Sequence, residues 1–151
     1  MYLFLDAVST KGKLLLTRSD KNIISEKTIS LARLESQQLL GKIEEFLDAS
    51  SVSFSDLSGI IVVHGPGSFT GVRTIVLLVN TLAYMYHIPL FPISFFDMYR
   101  SYPIVKASSR RDLFVQLDQD EPIQILSNEA FCAYLEENNI GQVYGDPQMN
   151  I

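Results

Sequence analysis

Apolar and polar positions change rhythm several times along this chain, and each change predicts an element. "YLFLDA" (Tyr2–Ala7) reads as a short buried strand. "GKLLLTRS" and "KNIISEK" follow, separated by the turn residues "DKN", so three strands joined by hairpins are expected. From Leu34 to Leu47 the period becomes helical. Leu39, Leu40, Ile43, Phe46 and Leu47 fall on one face, and Glu35, Gln38, Lys42 and Glu45 largely on the other. Gly41 in its middle weakens this helix by up to ~1 kcal/mol relative to alanine. "SFSDLSG" is a loop or a single turn. "GIIVVH" (Gly59–His64) is a β-branched run of the kind a central strand shows when both faces are covered.

A helix is expected from about Thr70 to Tyr86, then a strand at "PLFPIS" (Pro89–Ser94) and a helix at "SFFDMYRSY". The order βββαβαβα implies a mixed sheet with helices on its faces, an α/β fold. After Tyr102 the pattern thins. "PIVKA", "DLFVQLD" and "PIQIL" read as strands, the last two forming a hairpin around "QDEP". Ser127, with Glu129 in the first turn behind it, starts a helix running to about Asn138. "QVYGD" is a last strand. Two lobes follow, 1–102 and a smaller one at 103–151.

Composition narrows the function classes. The 151 residues are 47% hydrophobic and 19% charged, an ordinary globular balance, with net charge −5. An acidic chain whose strongest basic cluster is Arg110 and Arg111 in "SSRRD" is a poor candidate for gripping nucleic acid directly. Its single cysteine, Cys132, sits in a helical stretch and excludes an internal disulfide and a multi-cysteine zinc site. The opening "MYLFLD" has no basic segment or cleavage site, so the cytoplasm is the expected compartment. Thr74 to Phe96 carries no Asp, Glu, Lys or Arg, but Pro89 and Pro92 break the run and Asn80, Thr81 and His87 lie within it. A buried helix and strand explain it better than a membrane span.

The candidate chemistry lies in "HGPGSFTGVR", His64–Arg73. A phosphate-binding P-loop needs Gly-Lys-Ser/Thr, whereas Gly71 is followed by Val72 and Arg73. A dinucleotide fingerprint needs its third glycine where Thr70 stands. Gly65 and Gly67 permit unusual backbone angles, and Thr70 is expected to cap the following helix, whose first amides form a generic anion site. Ser68 lacks the G-x-S-x-G spacing of a nucleophile, and a lone His64 beside it does not make a triad.

"GPGSFTGVR" after an apolar strand, with a helix and then "IPLFPIS" downstream, resembles the TsaB (YeaZ) family, and "SSRRDLFVQL" loosely resembles a hairpin of that family. The resemblance covers about Met1 to Tyr102. It implies an ASKHA (actin/hexokinase-like) lobe with a mixed sheet, plus a truncated second lobe and a reduced cleft. The family's first strand commonly ends Asp-Thr-Ser-Thr; here it is "DAVS", in which Asp6 remains and two hydroxyls are missing. The family's His-Ser at the first helix stands here as Glu35-Ser36. The related transferase TsaD carries a His-x-x-x-His iron pair, which His64 and His87 do not form, so no metal is expected.

The resemblance therefore implies a non-catalytic subunit that pairs with a TsaD-like transferase and works with a TsaE-like ATPase. That pair makes N6-threonylcarbamoyladenosine at position 37 of tRNA, so tRNA would be met indirectly. No cofactor is expected on this chain alone, with ATP or ADP only in the complex; the weak candidates for such a site are Asp6, Gly65, Gly67, Ser68 and Thr70. The rival reading is a nucleotide-binding module or hydrolase acting alone. The family pairs through its two helices, with its partner or with itself, which nominates Leu39, Ile43, Phe46, Arg73, Ile75, Val76, Leu78, Val79, Leu82, Ala83 and Tyr86. In most relatives the positions of Ile75, Leu77, Val79 and Thr81 are Gly or Ala, which implies a looser helix spacing here. Between Ile75 and Tyr86 almost no polar face is left, so the helix needs cover on two sides, and a homodimer is expected when no partner is present.

Overall fold

The computed structural model describes residues 1–30 and 38–146. The chain divides into two compact units, Met1–Ile93 and Ser94–Ile151. In the first, β1 (Tyr2–Asp6), β2 (Lys11–Thr17) and β3 (Ile23–Ser30) form an antiparallel meander. β4 (Gly59–Val63) then joins β1 in parallel, and β5 (Leu90–Ile93) joins β4 in parallel. The sheet order is β3-β2-β1-β4-β5. α1 (Leu39–Ala49), a 3-10 turn at Phe54–Asp56 and α2 (Phe69–Tyr86) complete the unit.

Strand alternation decides the core. Leu3, Leu5, Leu14, Leu16, Ile60 and Val62 point to one face, where α1 places Leu39, Ile43, Phe46 and Leu47 and α2 places Ile75, Val79 and Leu82. Leu40, expected on that apolar face, is exposed instead. Residues 34–37 of the expected first helix, including Glu35 and Ser36, lie outside the described residues. Gly59 leaves room on β4 for the Tyr2 and Phe91 rings; a Cβ there would sit 2.5 Å from Phe91 and 3.0 Å from Tyr2.

The second unit holds β6 (Ile104–Ala107), β7 (Asp112–Gln116), β8 (Gln124–Ser127), α3 (Asn128–Glu137) and β9 (Tyr144–Asp146), with sheet order β8-β7-β6-β9. Its three antiparallel strands, helix and parallel fourth strand repeat the opening of the first unit. Val105, Leu113, Val115 and Phe131 form its core. Ser127 caps α3, its hydroxyl accepting the Ala130 N–H, as its place in the sequence predicts. Gly145 sits at φ +117, where any Cβ would collide with the Val105 carbonyl.

Two expectations change here. "SFFDMYRSY" does not form a helix but a 3-10 turn at Phe96–Met98. The Asp97 carboxylate accepts the Ser94 N–H at 2.7 Å, which closes the turn locally, and Tyr99 is already extended. The same segment moves the boundary. The sequence places it at the end of a first lobe running to residue 102, but Phe95 meets Phe96 edge-on and Tyr99 at a tilt, the Lys106 ammonium lies over the Phe95 ring, and Ser94–Tyr102 falls in the second unit.

Candidate functional site

The glycine loop leaves β4 at His64. Its N–H donates to the Ile93 carbonyl at 3.0 Å, and its Nδ1 lies 2.6 Å from the same oxygen, so the ring carries its proton on Nδ1 and ties β5 in place. Gly65 takes φ +138, a conformation a side chain would strain. Gly67 sits in a tight space: a Cβ there would lie 3.2 Å from Val8 and 3.4 Å from Val72, so both side chains would have to shift by a few tenths of an ångström. The cap is Ser68, not Thr70; the Ser68 hydroxyl accepts the Gly71 N–H at 3.1 Å, and Thr70 already sits inside the helix. The helix begins earlier than expected because the serine three residues before Gly71 is in reach.

Asp6, buried at the end of β1, accepts the amides of Val8 and Ser9 through one carboxylate oxygen, at 3.0 and 3.1 Å. This holds the β1–β2 turn, and Val8 brings that turn against Gly67. The structure thus gathers Asp6, Gly65, Gly67 and Ser68 around one corner. Three amides that a phosphate could use there, those of Val8, Ser9 and Gly71, are already engaged within the chain. Among the described residues, no three His, Cys, Asp or Glu side chains gather as a metal site requires.

α2 supplies the other candidate. It is long and apolar enough to cross a bilayer by length and composition, yet only one of its sides packs on the sheet. Phe69 is 75% exposed, Leu77 71%, Tyr84 83% and Met85 62%. At about 100° per residue, Phe69, Arg73, Leu77, Asn80 and Tyr84 lie on one stripe along the helix. A shallow groove runs along its first turns, lined by Phe69, Arg73, Val76, Leu77 and Asn80 among others. The polar side chains of this surface turn inward: the Thr74, Asn80 and Thr81 side chains donate to the carbonyls of Thr70, Val76 and Leu77.

This geometry corrects part of the nominated surface. Leu39, Ile43, Phe46, Ile75, Val79 and Leu82 face the chain's own sheet and are buried, so they offer nothing to a partner. Leu78 is half-buried against the same core, and Ala83 is half-buried. Tyr86 stacks on Phe54 with ring centroids 5.0 Å apart. Arg73 and Val76 do face outward. Phe69, Leu77, Tyr84 and Met85, which the sequence reading did not nominate, carry most of the exposed apolar surface. Their spacing of seven and eight residues is a usable signal, but a helix apolar all round masks it.

The second unit buries a charge the sequence reading missed. Lys106 is 3% exposed, its Nζ 3.7 Å from Asp146 on the neighbouring strand and 4.6 Å from the centre of the Phe95 ring. The pair and the ring together compensate the desolvated ammonium.

With this geometry in hand, comparison with known proteins places the chain among relatives of one kind. The family described as "TsaD: tRNA N6-adenosine threonylcarbamoyltransferase" matches residues 22–106. The "tRNA threonylcarbamoyladenosine biosynthesis protein TsaB" of Bacillus subtilis (strain 168) is 37% identical over 79 residues, which cover 52% of this chain and 34% of that protein. The chain thus spans about a third of the curated relative it matches. The fold is that of YeaZ from Pseudomonas aeruginosa, with a TM-score of 0.65 at 22% identity, covering 85% of this chain and 67% of that one. A protein "with similarity to peptidase YEAZ" from the same organism gives a TM-score of 0.69 at 23% identity and the same coverage. The ASKHA-type mixed sheet expected from the resemblance is therefore present. The motif from Gly65 to Arg73, the family match over more than half of the chain and the TsaB relative agree: the chain belongs to the TsaB (YeaZ) family.

Proposed function

We propose that this chain is a non-catalytic partner subunit that binds a TsaD-like transferase and supports it in forming N6-threonylcarbamoyladenosine at position 37 of tRNA. The observation that carries this reading is the outward stripe of α2, an apolar face large enough to need cover. The TsaB relative, named for threonylcarbamoyladenosine biosynthesis, supports the pathway. A TsaE-like ATPase joins the assembly, tRNA is held mainly by other subunits, and without a partner the same face pairs two copies of this chain. The chain works in the cytoplasm and holds no cofactor alone; ATP or ADP enters with the complex.

A second reading, a nucleotide-binding module or hydrolase, draws on the meeting of the Asp6 turn with the glycine loop. The engaged amides there weigh against it. Co-purification with the cognate TsaD-type subunit, followed by reconstituted tRNA modification with and without this chain, tests the proposal. A stable complex and loss of modification on omission are expected. No complex at micromolar concentrations, together with sub-micromolar binding of ADP or ATP by the isolated chain, would replace it with the second reading.

A further inference from the structure

Along the exposed stripe of α2 one residue does not fit an apolar surface. Arg73 is the only charged residue between Phe69 and Tyr86. Its guanidinium lies over the Phe69 ring, 5.1 Å from the centroid. No carboxylate among the described residues pairs with it. The Thr74 and Thr81 hydroxyls and the Asn80 amide around it donate back to the helix's own carbonyls, so near the groove Arg73 is the charged group whose donors face outward. Phe69, Val76 and Leu77 surround it with exposed apolar surface along the groove.

Covering that surface strips water from the guanidinium. Such a charge is tolerated in an interface only when it meets an opposite charge with matching hydrogen bonds. With the guanidinium over the Phe69 ring, the N–H groups of its planar fork remain free for a bidentate carboxylate. We infer that Arg73 is the specificity-determining residue of this face. The partner that docks on α2 presents an apolar surface bearing a carboxylate, from Asp or Glu, aligned with Arg73. This rests on the proposal above that α2 is the docking face for the TsaD-type subunit.

The test measures binding of the cognate TsaD-type subunit to the full chain and to Arg73→Lys, Arg73→Glu and Leu77→Asp, at low and high salt. Both positions are on the surface, and thermal melts by circular dichroism confirm that each of the three variants keeps the wild-type fold. Arg73→Glu weakens binding by about a hundredfold or more, because it sets two carboxylates against each other. Arg73→Lys retains part of the affinity, and changing one partner carboxylate to arginine restores binding to Arg73→Glu. Loss of binding by Leu77→Asp with wild-type affinity for Arg73→Glu would overturn the carboxylate while leaving the docking face intact. Wild-type affinity for both would remove the docking face itself. If Arg73→Glu breaks only a self-dimer, the matching carboxylate lies on a second copy of this chain and the proposal fails.

Discussion

The two sides of α2 should respond oppositely to the same substitution. Val79 is 2% exposed and packs on the sheet; Tyr84, five residues further along the same helix, is 83% exposed. Val79→Asp removes a buried valine, worth about 2 kcal/mol of transfer free energy. It also places a carboxyl where it can persist only protonated. Keeping a group that ionises near 3.9 protonated at neutral pH costs about 4 kcal/mol, at 1.36 kcal/mol per pH unit. Together these reach about 6 kcal/mol, within the 5–15 kcal/mol that holds a typical domain folded. Val79→Asp is therefore expected to be unfolded or barely folded at neutral pH, by far-ultraviolet circular dichroism and urea titration. The sign of its pH dependence follows: the buried acid has a raised folded pKa, so the ionisation cost disappears below about pH 4 and grows as pH rises. Tyr84→Asp should stay within about 0.5 kcal/mol of wild type, as surface changes do. A Val79→Asp variant that melts within a few degrees of wild type at pH 7 would show that this side of α2 does not face the core.

Ser68→Ala should cost about 1 kcal/mol through the lost cap while Thr70→Ala costs little; equal losses in urea titration would contradict the assignment of the cap. Gly145→Ala should lower the melting temperature and detach β9, because its φ of +117 and the Val105 carbonyl leave no place for a methyl; an unchanged melt would refute this. Asp56 accepts the Ser53 hydroxyl at 2.6 Å and the Ser53 amide at 2.8 Å, which hold its carboxyl below the ordinary 3.8. Its contribution to stability is complete above 3.8 and is lost as pH falls through the lower folded value. A carboxyl titration by NMR should place Asp56 below 3.8 and Ser53→Ala should move it back up; no movement would sink the attribution.

The parts of the fold legible in the sequence were those where one period dominates. "YLFLD" and "GIIVV" announce strands because β-branched and apolar residues crowd a short window, and Ser127 with Glu129 announces α3 by cap chemistry alone. α2 was legible as a helix but not as a surface, since Ile75, Leu77, Val79 and Leu82 look alike in composition and only the sheet distinguishes the buried three from Leu77. "SFFDMYRSY" reads as amphipathic, yet a single carboxylate at Asp97 closes a tighter turn that no periodicity reveals. Lys106 gave no warning: a lysine inside "PIVKA" is the usual mark of an exposed strand face, and its partners lie eleven residues before it and forty after it in sequence. Asp6 and the glycine loop are visible as motifs in the sequence, but which amides are engaged there depends on three-dimensional turns.

Gly59, beneath the rings of Tyr2 and Phe91, ties three strands to one shared volume. A methyl at position 59 has no room while Phe91 keeps its ring, and Tyr2 loses its neighbour if the Phe91 ring is removed alone. The two sites are thus epistatic: the double variant Gly59→Ala, Phe91→Leu should cost less than the sum of the two single changes, a non-additivity typical of residues in contact. Selection acting on this sheet sees positions 59 and 91 as one character, so a bulky residue at the first is affordable only to a descendant that has already become small at the second.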